Sequence, residues 1–190
     1  MEKNYTKKLI KLKLEGIGSE GDTTGYYNCE QINIFGGIPG ETVLAEIDIQ
    51  KKTKRKKSRI YGIVKKILIS SPNRLKPPCQ FYGFCTGCNW QHIKYEHQLK
   101  LKEQIIYKEI NSRITSKINI KKIIHSEKQF NYRNHARFSI RRNGQIGFTN
   151  KVTKKFAGIN HCLIMNNKIN KYINNLENLV GETSQLSIRA

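Results

Sequence analysis

Acid is scarce in this sequence: 14 Asp and Glu stand against 35 Lys and Arg, a formal net charge of +21. A field of that sign disfavours basic or neutral partners and favours a polyanion, nucleic acid first. Long apolar runs are missing too. Nothing approaches the roughly 18 to 20 residues that cross a bilayer. Residues 1–17 alternate charge and apolarity where a secretory signal would place a solid apolar block. A cytoplasmic protein with no membrane partner is expected. No G-x-x-x-x-G-K-[ST] loop occurs, and Gly16, Gly18, Gly21 and Gly25 do not make a G-x-G-x-x-G between strand and helix, so neither route to nucleotide phosphates has support. No Ser/His/Asp set stands out, and His92, His97, His125, His135 and His161 lack metalloprotease spacing. What is left is binding chemistry without a bond-making centre.

Hydrophobic residues at 37% and charged residues at 26% are ordinary for a globular chain, and 190 residues suffice for one domain or two small ones. Residues 8–14 read K-L-I-K-L-K-L, with Ile10, Leu12 and Leu14 on one face and Lys11 and Lys13 on the other, the period of a half-buried strand. Residues 31–35, 43–49 (Val43, Ala45, Ile47 and Ile49 inward) and 59–69 are further strands, separated by Gly16, Gly18 and Gly21 and by Gly36-Gly37-Ile38-Pro39-Gly40. Several short strands broken by Gly and Pro predict a small closed or nearly closed OB-like β-barrel over residues 1–70.

Residues 71–190 read as mixed α and β, so the fold class is α+β. Tyr95, Leu99, Ile106 and Ile110 fall in one sector of a helical wheel, predicting an amphipathic helix over 95–110. Over 133–148 the period returns to two: Ala136, Phe138 and Ile140 face one way, Arg133, His135, Arg137, Ser139 and Arg141 the other, and Asn143-Gly144 signals a hairpin turn. Residues 166–179 read as a helix and 185–189 as the start of a strand.

Five cysteines are an odd number, and in a reducing compartment a grouped set suggests metal rather than disulfides. Cys79, Cys85 and Cys88 are spaced C-x5-C-x2-C in a glycine-bearing segment, where tight turns let two thiolates converge and Phe81, Tyr82 and Phe84 shield the sulfurs. Cys162 is the best fourth ligand, ahead of His161, His92 and Cys29; iron–sulfur and zinc both remain open, as do clustered buried thiols. Cys29, alone in a strand region, reads as a core thiol.

Lys51, Lys52, Lys54, Arg55, Lys56, Lys57 and Arg59 join two strands of the expected barrel, where loops of such barrels bind oligonucleotides; a solvated loop is the plainer alternative. Arg133, Arg137 and Arg141 suit phosphate contacts, and Tyr132 and His135 suit stacking on exposed bases, against the alternative of an ordinary polar strand face.

The order of motifs is more specific than any of them. Gly36-Gly37-Ile38-Pro39-Gly40-Glu41 is followed by Cys79-x5-Cys85-x2-Cys88, Trp90-Gln91-His92, Tyr95, Gln98-Leu99 and Lys102, then Tyr132-Arg133-Asn134, Ile146-Gly147-Phe148 and Cys162. This resembles the N-terminal part of the bacterial RNA uracil-C5 methyltransferases, S-adenosylmethionine-dependent enzymes that modify ribosomal and transfer RNA. The resemblance implies a TRAM domain over 5–69 that binds RNA and a [4Fe-4S] cluster on Cys79, Cys85, Cys88 and Cys162, with zinc as the alternative. It adds Asn134 and Phe148 to the RNA-binding set. Two departures stand out: the family's Cys-Gly-Gly-Cys is Cys85-Thr86-Gly87-Cys88 here, and the early turn is the looser Gly21-Asp22-Thr23-Thr24-Gly25.

The family's Rossmann-like domain, with its nucleophilic cysteine, general base and S-adenosylmethionine site, would lie beyond Ala190, and the helix over 95–110 would pack on it. No catalytic residue is therefore assigned, and this chain alone is expected to be inactive, holding rRNA or tRNA while the other domain methylates a flipped-out uracil. A stand-alone TRAM-type RNA-binding protein with a structural metal site is the alternative. A small electron carrier or redox sensor would leave the charge and the barrel without purpose.

Overall fold

A computed structural model of the chain describes residues 6–18, 20–49, 60–114 and 118–190. They form two compact units, Met1–Pro77 with Asn89–Ile123, and Pro78–Cys88 with Ile124–Ala190. The fold is mixed α+β with two sheets. Among the described residues no helix is long and apolar enough to cross a membrane.

The first unit contains β1 (Thr6–Lys13), β2 (Gly16–Ile17), β3 (Thr23–Tyr27), β4 (Glu30–Phe35), β5 (Thr42–Ile49), β6 (Tyr61–Ile69) and α1 (Tyr95–Asn111). Its strands lie in the order β1-β5-β6-β4-β3-β2, all neighbours antiparallel except β4 and β6. Period-2 patterning buries Leu12, Leu14, Ile32, Ile34, Val43, Ala45 and Ile47 in one cluster. Strand β3 was not legible because Gly25 reads as a breaker; the glycine is there because a Cβ would strike the Leu12 side chain. Asn28 and Cys29, both at positive φ, make the two-residue turn into β4, so Cys29 is an exposed turn residue rather than a core thiol.

The expected closed OB-like barrel is corrected: the described strands form an open six-stranded sheet. Closure would require pairing between its end strands, β1 and β2, which share no ladder. They are successive in the chain with only Leu14 and Glu15 between them, and the N–H groups of these two donate to Glu41 O at 2.8 Å and Thr24 O at 2.9 Å.

The turn before β5 is held by a buried carboxylate. Glu41 is fully buried, and its Oε1 accepts from Arg74 Nε at 2.6 Å and Ser71 N at 3.1 Å. Its Oε2 accepts from Arg74 Nη2 at 2.6 Å and Ile38 N at 2.9 Å, while Nη2 also donates to Gly36 O at 2.8 Å. Burial alone would push this carboxyl up, but the hydrogen bonds and charge of Arg74, with the amides of Ser71 and Ile38, bring it below the usual range. Buried His92 donates Nε2–H to Gly37 O at 2.8 Å, and Trp90 Nε1 donates to Gly21 O at 2.6 Å. Helix α1 buries Leu101 against Ile38 and Ile93. Ile106, expected on the apolar face, is exposed, so the helix is rotated from the sector read on the wheel.

In the second unit β7 (His135–Ile140), β8 (Ile146–Thr149), β9 (Phe156–Gly158) and β10 (Gln185–Arg189) make an antiparallel sheet in the order β10-β7-β8-β9. One face packs on α2 (Asn167–Leu176) through Ala136, Phe138, Ile140, Ile146, Ile169 and Ile173. Asn166 caps α2 by accepting from Lys168 N at 2.9 Å. Two buried asparagines hold the irregular segments. Asn150 Nδ2 donates to Gly83 O at 3.2 Å and Phe84 O at 2.8 Å, and its Oδ1 accepts from Val152 N and Thr153 N at 2.9 and 2.8 Å. Asn170 Oδ1 accepts from Cys162 N at 2.8 Å, and its Nδ2 donates to Cys162 O at 3.1 Å.

Glu41→Gln strands the Arg74 charge and should destabilise the first unit by about 3–5 kcal/mol in urea titration; a variant as stable as wild type would contradict the role given to this pair. Burial, first, and the nearby Arg74 charge hold His92 down at about 4 from 6.5. The unfolded chain therefore takes up this proton first, so the stability from neutral His92 is full above about pH 6.5 and lost as pH falls towards 4. His92→Gln should flatten stability against pH across that window, read by thermal melts. Asn150→Ala removes four hydrogen bonds from part-buried backbone and should cost about 2–4 kcal/mol, with amide exchange rising first at residues 83–86 and 151–153.

Candidate nucleic-acid interface

The alternation in β7 leaves its two faces chemically distinct. Ala136, Phe138 and Ile140 are buried, whereas His135 and Arg137 are exposed. Strand β10 extends the polar face: Ser187 lies opposite Arg137 and Arg189 opposite His135, and His135 Nε2 meets Ser187 Oγ at 2.8 Å. Ser139 Oγ lies 3.4 Å from Thr149 Oγ1 of β8, continuing the polar row. Arg189 was missed in the sequence although Q-L-S-I-R alternates; only the pairing with β7 shows which face its odd positions share.

Arg141 follows β7, and its guanidinium sits over the Phe156 ring, 4.7 Å from the centroid. Phe156 is a second residue the sequence did not flag. Its ring lies beside Gly147, where a Cβ would meet Phe156 Cζ at 2.8 Å and clash with the Ala157 carbonyl. Ahead of β7, Tyr132, Arg133 and Asn134 are exposed, with their backbone anchored: Arg133 N donates to Ile164 O at 2.9 Å and Asn134 O accepts from Ala190 N at 2.8 Å.

Of the other residues marked for RNA, Phe148 is on the opposite, apolar face, its ring 5.2 Å from that of Phe138. Lys51, Lys52, Lys54, Arg55, Lys56, Lys57 and Arg59 lie outside the described residues.

The metal expectation is corrected as well. Among the described residues no group of three or more His, Cys, Asp or Glu side chains could hold a metal ion, so Cys79, Cys85, Cys88 and Cys162 do not make the ligand set of a [4Fe-4S] cluster or a zinc ion. None of the five cysteines is in a disulfide. Cys85 and Cys162 pack against the core of the second unit. Burial pushes both thiols up, and the nearness of Cys79 to each adds to it. His92 belongs to the first unit and is spent on Gly37, and His161 is exposed.

No family model matches the chain. It is 34% identical to an uncharacterized RNA methyltransferase of Aquifex aeolicus over 87% of this chain and 38% of that protein. It is 30% identical to an uncharacterized RNA methyltransferase of Bacillus cereus over 83% of this chain and 34% of that protein. To the 23S rRNA (uracil(1939)-C(5))-methyltransferase RlmD of Shewanella amazonensis the identity is 26%, over 94% of this chain and 41% of that protein. The chain thus spans a little over a third of the length of the curated relatives it matches. At the level of a family, and over that share of their length, this chain is similar to bacterial RNA methyltransferases.

Proposed function

We propose that this chain binds RNA on the polar face of its second sheet and serves as the RNA-holding portion of an RNA methyltransferase. The observation that carries the reading is the one-sided placement of cationic and ring-bearing side chains, His135, Arg137 and Arg189, on a sheet whose other face is core. Arginines on a sheet surface neutralise phosphates without reading sequence, and the exposed rings of Tyr132 and His135 offer faces on which unpaired bases stack. Arg133, Arg141 and Asn134 border the same face in the chain. The basic residues over 51–59 are a second phosphate-binding segment in this proposal, on charge alone.

The relatives' names supply the reaction class: RNA methylation, with ribosomal RNA and uracil C5 specified for the Shewanella protein. In the proposed scheme the present chain restricts the RNA in position and orientation, which lowers the entropic barrier to a transfer performed by groups outside it. No residue of this chain is offered as nucleophile or base.

Binding of a labelled single-stranded RNA, followed by fluorescence anisotropy through a salt series, tests the reading. Each lost phosphate contact on a single strand removes about 0.7 from the magnitude of the log–log slope. The double variant Arg137→Ala, Arg189→Ala should therefore flatten the slope by about 1.4, while Arg137→Lys keeps it. An unchanged slope in the double variant would remove this face as the RNA surface.

A further inference from the structure

We propose that the second unit also carries a pocket for one unstacked guanine base of the bound RNA, walled by Phe81, Phe84 and Phe156 and read at its edge by Glu177. This rests on the RNA-binding proposal above. The cavity holds about 470 Å³, within the roughly 300–1,000 Å³ typical of small-ligand sites. Three phenylalanines meet there: Phe84 is 56% exposed, Phe81 is half-buried against the core, and Phe156, also half-buried, carries Arg141 over its ring. An uncovered aromatic face is a platform for a base, since every base presents a π-face to it. Arg141, stacked on Phe156, closes one side with a planar cation. The segment carrying Phe84 is braced, because Asn150 takes the carbonyls of both Gly83 and Phe84.

The polar lining selects the occupant. Glu177 is one of only 14 acidic residues in a chain of +21, and among the described residues its side chain forms no hydrogen bond or ion pair. A carboxylate repels phosphate and accepts only, so it calls for adjacent N–H donors. Uracil offers one imino N–H between two carbonyls, and adenine and cytosine each set an amino group beside a ring acceptor. Guanine alone presents N1–H and the N2 amino group side by side, matching the two carboxylate oxygens. Gln145 and Asn160, which also line the cavity, supply amide donors for the guanine O6 and N7 edge.

The probe is an oligouridylate carrying one central guanosine, compared with all-uridine, inosine-substituted and abasic versions at fixed salt. The guanosine should tighten binding by about tenfold, and inosine, which lacks the N2 amino group, should lose much of that gain. Phe84→Ala should abolish the gain with the salt slope unchanged, and Glu177→Gln should erase the preference for guanosine over inosine while leaving the all-uridine affinity and its salt slope unchanged. Equal affinity of wild type for the guanosine and all-uridine strands would overturn the pocket while leaving RNA binding intact; no salt-dependent binding to any strand would overturn both. Free GMP competing at the concentration of the oligonucleotide would assign the pocket to a mononucleotide and overturn its place in RNA recognition.

Discussion

Backbone outside helices and sheets keeps one shape only when something buried answers its N–H and C=O groups, and this constraint governs both units. In the first, one carboxylate does it: Glu41 gathers the amides of Ile38 and Ser71 and, through Arg74, the carbonyl of Gly36. In the second, Asn150 and Asn170 do it with neutral amides, each donating and accepting at once. The difference in chemistry follows the task. A tight turn exposing amides suits an anion, whereas segments exposing both carbonyls and amides need a side chain with both functions. Either way, breaking one such residue leaves several orphaned groups, a larger penalty than any single hydrogen bond it makes.

Periodic elements were the legible part of the sequence, because burial imposes its period directly on residue type. Ala136, Phe138 and Ile140 declared β7, and Ile10 and Leu12 declared β1. What failed were readings that depend on partners distant in sequence. Strand β3 hides behind Gly25, whose smallness answers to Leu12. Phe148 was assigned to the RNA face by its place in a motif, yet alternation from Ile146 puts it on the core face beside Phe138. Whether a sheet closes is a matter of which strands pair last, and the hydrogen bonds of Leu14 and Glu15 carry no sequence signature. The cysteine spacing suggested a metal because C-x2-C lets thiolates converge, but convergence in sequence does not supply a ligand set in space, and Cys85 and Cys162 instead pack against the core of the second unit.

Charge and shape divide the second unit's work. Its cations stand on a flat sheet face where solvent screens them, which suits contacts that are numerous, weak and indifferent to sequence. The acid that breaks the pattern, Glu177, lines an open recess beside aromatic rings, and in the proposal above its carboxylate reads the base edge by accepting only. A flat basic surface with an acidic, aromatic recess is a poor match for a phosphate-only ligand.

One glycine in an interior strand of the sheet, Gly147 of β8, ties these two surfaces together. Because Gly147 has no side chain, the Phe156 ring can settle against the strand, and because that ring settles there, Arg141 has a platform at the margin of the polar face. A bulkier residue at 147 would drive the Ala157 carbonyl and the ring away together, detaching both the guanidinium and one wall of the recess. The Ile146-Gly147-Phe148 triplet thus serves two environments with three consecutive residues: Ile146 and Phe148 fill the core, and the missing side chain between them lets the Phe156 ring lie against the opposite face.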